Sequence, residues 1–197
     1  MLAWRSAETG LPWRHFGLLL LGLLISRSGI ASETFNVRMA STQLVDGIYR
    51  LHAQIDYPLH EEVRKAVKSG IPLIVNQEIE IRRLRRWLWP KTIKKITLRY
   101  QLRYHALSEQ FVLIYLSQGR QRAYPNLTAA IKRLSTIKDY PLITQEELEP
   151  HQRYRVRLRT RLSIEDLPVP MRPIAYLSPQ WHLDSPWFSW LLGSPGL

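Results

Sequence analysis

Residues 71–117 read IPLIVNQEIEIRRLRRWLWPKTIKKITLRYQLRYHALSEQFVLIYLS, and the fold follows from the spacing of their apolar side chains. Ile71, Leu73, Val75, Ile79 and Ile81 fall on alternate positions, and after a break at Trp89-Pro90 the same period returns in Ile96, Leu98, Tyr100, Leu102 and Tyr104. A two-residue period marks a strand with one buried face. The intervening residues are polar: Asn76, Glu78 and Glu80 in the first run, Lys95, Thr97, Arg99, Gln101 and Arg103 in the second. Paired residues of neighbouring strands point to the same side of a sheet, so the two apolar sets meet only if each pair has an odd residue sum. A turn centred near Trp89-Pro90 then sets Ile79 opposite Tyr100 or Leu102 and Ile81 opposite Leu98 or Tyr100. It also sets Glu78 and Glu80 beside Arg99, Gln101 or Arg103. The third run, 111–117, is apolar on both parities and predicts an interior strand covered on each face.

Working outward, residues 34–42 and 48–57 alternate around Asp46-Gly47, a hairpin turn signal, with Leu51, Ala53 and Ile55 as the buried side of the second strand. Leu59, Val63, Ala66 and Val67 then fall at helical spacing, predicting a helix over about 59–69. Glu61 and Glu62 lie in its first turn, Lys65 and Lys68 in its last, and Gly70 stands as C-terminal cap. Leu127, Ala130, Ile131, Leu134 and Ile137 predict a second helix, capped by Asn126 or Thr128 and closed by Pro141. Asn126-Leu127-Thr128 also spells a glycosylation sequon, and at a helix start the capping reading is preferred. A last long strand over 154–162 carries Tyr154, Val156, Leu158 and Leu162 on one side and Arg153, Arg155, Arg157, Arg159 and Arg161 on the other. Residues 167–197 are rich in proline and tryptophan and read as an extended flap laid across the sheet, because so many indoles left in water would form a large apolar patch. The expected class is mainly β (α+β): an antiparallel sandwich-like or strongly curved sheet with two short helices and a C-terminal flap. An open α+β sheet with both helices on one face is the second architecture.

Residues 1–31 read as a secretory signal peptide. Arg5 and Arg14 precede a leucine run over 16–25, and Gly29-Ile30-Ala31 has the small-x-small form of a cleavage site. The run falls short of the ~20 residues a membrane span needs. An uncleaved inner-membrane anchor is the alternative. The chain carries 28 basic and 16 acidic residues, and without the leader 25 and 15 remain, an excess of +10. The basic surface thus belongs to an exported, periplasmic domain over 32–197, which argues against nucleic acid as its ligand. There is no cysteine, so neither disulfides nor thiol chemistry is available.

Several pieces together carry a resemblance: Gly70-Ile71-Pro72-Leu73 after the first helix, Arg85-Arg86-Trp87 with Trp89 at the central turn, and the 154–162 strand. Leu167-Pro168-Val169-Pro170 and the spaced Trp181, Leu183, Ser185, Trp187 and Trp190 complete it. The chain resembles the bacterial exported family catalogued as domain of unknown function 4390, over nearly all of its mature length. The resemblance implies export and a single domain, and it assigns no catalytic residues. Members are similar in often being encoded near a membrane sensor kinase, which implies such a kinase as an envelope partner.

The chemistry in the residues is that of binding. The six histidines show no zinc-ligand spacing, and neither a nucleophile elbow, a phosphate-cradling glycine loop nor a Ser-x-x-Lys motif is present. No catalytic residue, cofactor or metal is therefore expected. The candidate binding surface is basic and aromatic: Arg82, Arg83, Arg85 and Arg86 around Trp87 and Trp89, with Arg155, Arg157 and Arg159 of the last strand. The arginine row requires counter-charge. Glu78 and Glu80 would supply it from within, lipid or lipopolysaccharide phosphates or an acidic protein partner from outside. The expected function is a non-enzymatic binding or adaptor module for an envelope protein partner or an anionic envelope surface. A small apolar ligand carrier, with its cavity between sheet and flap, is the alternative.

Overall fold

The computed structural model describes residues 34–193; the expected signal peptide lies outside the described residues. The class is mainly β, as the alternation predicts. Nine strands run in the order β1 (Asn36–Val45), β2 (Ile48–Asp56), β3 (Leu73–Arg83), β4 (Lys91–His105), β5 (Gln110–Tyr115), β6 (Arg120–Tyr124), β7 (Thr136–Thr144), β8 (Tyr154–Leu162) and β9 (Phe188–Leu191). Among the described residues three short helices interrupt them: α1 (Glu61–Lys68), α2 (Leu127–Leu134) and α3 (Arg172–Leu177). The strands form a three-stranded sheet ordered β1-β2-β7 and a six-stranded sheet ordered β6-β5-β4-β3-β8-β9, and all pairings are antiparallel.

One apolar core lies between the sheets, drawing Leu51, Ala53 and Ile55 from β2, Leu73, Val75, Ile79 and Ile81 from β3, and Val156 and Leu158 from β8. β1 meets β8 and β9, while α1 packs on β4 and α2 on β5, so the small sheet covers one half of the inner face and the helices the other. The Asp46-Gly47 turn has positive φ at both residues, as a two-residue hairpin turn requires. α1 ends as the sequence predicts: Ile71 N donates to the Ala66 carbonyl and Gly70 N to that of Val67, with Gly70 at φ 87°. This is the Schellman arrangement, which only a residue free to adopt the left-handed region closes without strain. Asn126 caps α2 by accepting from Ala129 N at 2.8 Å.

The central hairpin keeps its predicted parity but not its predicted offset. Ile79 pairs with Ile96 and Ile81 with Lys94, four or six residues earlier on β4 than the expected partners, although every pair from Leu73 to Ile81 still has an odd sum. The turn is centred at Trp87-Leu88 instead of Trp89-Pro90. Pro90, which cannot donate to a ladder, stands directly before β4 and ends the loop instead of making it. Glu78 and Glu80 accordingly lie opposite Thr97 and Lys95 on β4, not beside Arg99, Gln101 or Arg103. β5 is interior, between β4 and β6, but only the Phe111 and Leu113 face is fully buried; the doubly buried strand is β3. Ile137 and Pro141 belong to β7, not to the second helix. Ser135 caps that helix, and Pro141 is tolerated because β7 is an edge strand with an irregular register at that point.

The C-terminal segment packs on the domain but is not uniformly extended. It forms two single 3₁₀ turns and α3, then adds β9 as an edge strand beside β8. Trp181 and Trp190 are buried, and the Trp190 Nε1 donates to Thr42 Oγ1 at 3.2 Å, tying the two sheets together.

A second tie is polar and central. Gln77, on the apolar face of β3, donates its Nε2 to the Tyr57 hydroxyl at 2.8 Å and to the Leu134 carbonyl at 3.2 Å, and the Tyr57 hydroxyl lies 3.0 Å from Thr160 Oγ1. Burial pushes the Tyr57 phenol well above its usual range, so it remains a neutral hydrogen-bonding group. Tyr57→Phe leaves Thr160 unpaired in the core and should cost about 1–3 kcal/mol, the usual penalty for an orphaned buried polar group. A fall in the urea midpoint with an unchanged slope would show it, and an unchanged midpoint would contradict it.

Candidate functional site

The outer face of the six-stranded sheet carries the arginine row, and the sheet register supplies its counter-charge. β3 lies against β8 so that Glu78 pairs with Arg159, Glu80 with Arg157, Asn76 with Arg161 and Arg82 with Arg155. Arg157 donates to Glu80 Oε2 through Nε at 2.9 Å and Nη2 at 2.6 Å. Arg159 reaches Glu78 Oε2 at 2.8 Å, and Arg161 Nε lies 3.1 Å from Glu78 Oε1. Glu78 and Glu80 are only 5% and 8% exposed, whereas their arginine partners remain partly open to water. Trp187 covers them, with its ring centroid 4.0 Å from the Arg157 guanidinium carbon and 4.6 Å from that of Arg159. An indole face over a partly exposed guanidinium adds cation–π attraction to the ion pair. At the far end of the row Asp166 accepts from Arg99 at 2.7 Å. Burial works against that carboxylate, but hydrogen bonds from Ser163 and Arg99 outweigh it and hold its pKa below the usual aspartate value.

Arg157 and Arg159 are therefore structural members of an internal ion-pair ladder. Arg155 differs: it is exposed and has no acidic partner among the described residues. Sequence reasoning named Glu78 and Glu80 as possible counter-charges but did not find Trp187. Its place in an aromatic tail was visible; its stacking depends on where β9 joins the sheet.

The remaining predicted residues lie at or beside the 84–90 loop between β3 and β4. Leu84 N donates to the Arg153 carbonyl and Arg82 Nη2 to the Pro90 carbonyl at 3.1 Å, which close the base of the loop. Arg83 is taken by an ion pair with Glu149. Beyond that base, Trp87 is 86% exposed, Leu88 66% and Trp89 89%, with Arg85 and Arg86 exposed beside them. The Arg86 guanidinium lies 5.8 Å from the Trp87 ring, at the outer limit of a cation–π contact, so the predicted stacking of arginine stems on indoles is marginal at the tip and strong at Trp187. The structure brings the two predicted sets together at one point, where Arg82 near the end of β3 and Arg155 of the row stand directly opposite.

The aspartates are engaged elsewhere: Asp56 takes a two-oxygen grip from Arg38, and Asp139 lies 3.3 Å from His52 Nε2. Among the described residues no three His, Cys, Asp or Glu side chains cluster as metal ligands would. A groove of about 610 Å³, open and partly polar, runs past Tyr100, Tyr115, Arg133 and Tyr140. Burial, then the neighbouring Tyr115, pushes the Tyr100 phenol up to about 12, and it stays neutral in neutral solution.

The ladder yields an ordered expectation. Glu78→Gln leaves Arg159 and Arg161, 33% and 44% exposed, facing a neutral amide and should cost about 1–2 kcal/mol, since two ion pairs are lost while water takes up part of the arginine charge. Arg159→Gln should cost less, because Arg161 remains beside Glu78. Urea unfolding of the two variants in parallel decides this; equal or reversed losses would contradict the ladder.

No curated protein and no solved structure matches the chain. The model of the family described as Domain of unknown function (DUF4390) matches residues 32–191, and the chain belongs to that family.

Proposed function

We propose that this domain is a non-catalytic docking module that attaches to an anionic lipid surface through the 84–90 loop. The observation that carries the reading is the consecutive exposure of Trp87, Leu88 and Trp89 in the loop that joins β3 to β4. Three large apolar residues in a row, held away from a core that has space for none of them, make an apolar tip that water disfavours. Tryptophan is the side chain best suited to the headgroup boundary, where its ring is apolar and its N–H finds partners. The tip is collared by Arg85, Arg86 and Lys91, and each cation near an anionic leaflet contributes about 1 kcal/mol. Shallow insertion leaves the loop backbone in the hydrated interface, so none of its polar groups enters hydrocarbon.

The reading places the module outside the cytoplasm, in the periplasm, where the signal-like leader would deliver it. A membrane protein such as a sensor kinase would then be met at the same surface. The carrier reading is less well supported, because Trp181, Leu183 and Trp190 of the flap are themselves packed into the core.

Trp87→Ala with Trp89→Ala should weaken binding to phosphatidylglycerol-containing vesicles roughly a hundredfold, from loss of on the order of 3 kcal/mol of apolar transfer. The thermal midpoint should barely move, as both side chains are exposed. Co-sedimentation across a salt series measures the first and a melting curve the second. Undiminished vesicle binding in the double variant would overturn the proposal.

A further inference from the structure

Beside the base of the loop lies a cleft of about 120 Å³ bordered by Arg82, Arg155, Arg157, Trp187, Ser189 and the loop end at Pro90. We infer that this cleft is an anion site that takes a single phosphate group. No acidic side chain lines it. Arg157 is committed to Glu80, but Arg82 and Arg155 are not paired with any carboxylate among the described residues. These two stand directly opposite each other on neighbouring strands, an arrangement of like charges that destabilises a sheet unless something neutralises it.

The geometry of Arg82 strengthens the case. Its Nη2 is fixed on the Pro90 carbonyl at 3.1 Å, which orients the guanidinium, while its Nε is buried with no hydrogen-bond partner. A buried N–H of a charged group is costly to leave unmade, and a guanidinium fork with one arm anchored matches the oxygens of a phosphate. Arg155 supplies a second, unspent fork across the cleft, and Ser189, opposite Arg157 in the register, supplies a hydroxyl. Trp187, already stacked on Arg157, walls the cleft with an apolar face that excludes water and strengthens these contacts. The cleft has room for one tetrahedral oxyanion. The cleft adjoins the loop proposed to meet lipid, so a headgroup phosphate is one source and free inorganic phosphate the other. The inference extends the docking proposal but stands without it.

The test is titration of ¹⁵N-labelled protein with inorganic phosphate, followed at the arginine Nε–H signals. The Arg82 signal should shift saturably, and Arg155→Gln, at an exposed position that leaves the fold intact, should weaken phosphate binding about tenfold. Trp87→Ala with Trp89→Ala should leave phosphate affinity unchanged even where vesicle binding is lost, which separates failure of this site from failure of the docking loop. Co-sedimentation then assigns the source. Preference for phosphatidic acid vesicles over phosphatidylglycerol vesicles, abolished in Arg155→Gln, identifies a lipid headgroup. Weakened phosphate binding with unchanged vesicle retention in that variant identifies free phosphate. An Arg82 signal unmoved by phosphate, or an Arg155→Gln variant that binds phosphate as tightly as the parent, would overturn the site.

Discussion

Two carboxylates on the central strand of a six-stranded sheet, almost wholly removed from water, are the constraint around which this domain is arranged. Buried charge is tolerated only where partners are close and hydrogen-bonded, and Glu78 and Glu80 find theirs on β8, 2.6 to 3.1 Å away. That requirement locks the β3–β8 register, since a one-residue slip would turn the arginines to the apolar side and leave both carboxylates unpaired. It also explains the C-terminal segment. Trp187 lies over Arg157 and Arg159, so the tail shields the ladder as well as filling the core with Trp181 and Trp190.

What the sequence made legible was parity. Because a strand has a period of two, the apolar sides of β2, β3 and β8 could be read directly and are buried where the alternation put them, while on β4 Leu98 and Leu102 are buried and Ile96, Tyr100 and Tyr104 only half-buried. Offset was not legible. Parity admits any even shift, and the register is chosen by where the loop closes; the Arg83–Lys91 pair and the hydrogen bond from Arg82 to the Pro90 carbonyl close it earlier than the proline alone suggested. The strands that went unread are edges: β6 reads Arg-Gln-Arg-Ala-Tyr, β7 contains Pro141, and β9 spans four residues within a proline-rich tail. Edges are kept charged, short or proline-broken to prevent further pairing, and those same features erase the alternation.

The candidate surface was legible in its residue types and not in their division of labour. Arginines on alternate positions of β8 look equivalent in sequence, yet Arg157 and Arg159 are spent on glutamates while Arg155 is not. The distinction depends on which residue of β3 stands opposite: a glutamate in two cases, Arg82 in the third. Likewise Trp87 and Trp187 look alike in sequence, but one projects into solvent and the other closes the ion-pair ladder. Burial is decided by tertiary packing, which a local pattern does not encode.

The domain is polar in the geometric sense. The 84–90 loop caps one end of the β3, β4 and β8 strands. The 105–109 turn and the 163–185 segment, with exposed Leu107, Val169, Ile174 and Leu177, lie at the other. Both ends expose apolar residues, but only the loop end couples three consecutive ones to a basic collar. Amide hydrogen exchange on anionic vesicles reads the two ends in a single experiment. The account predicts added protection at residues 84–90, with none at 105–109 or 168–177; protection confined to the opposite end would contradict it.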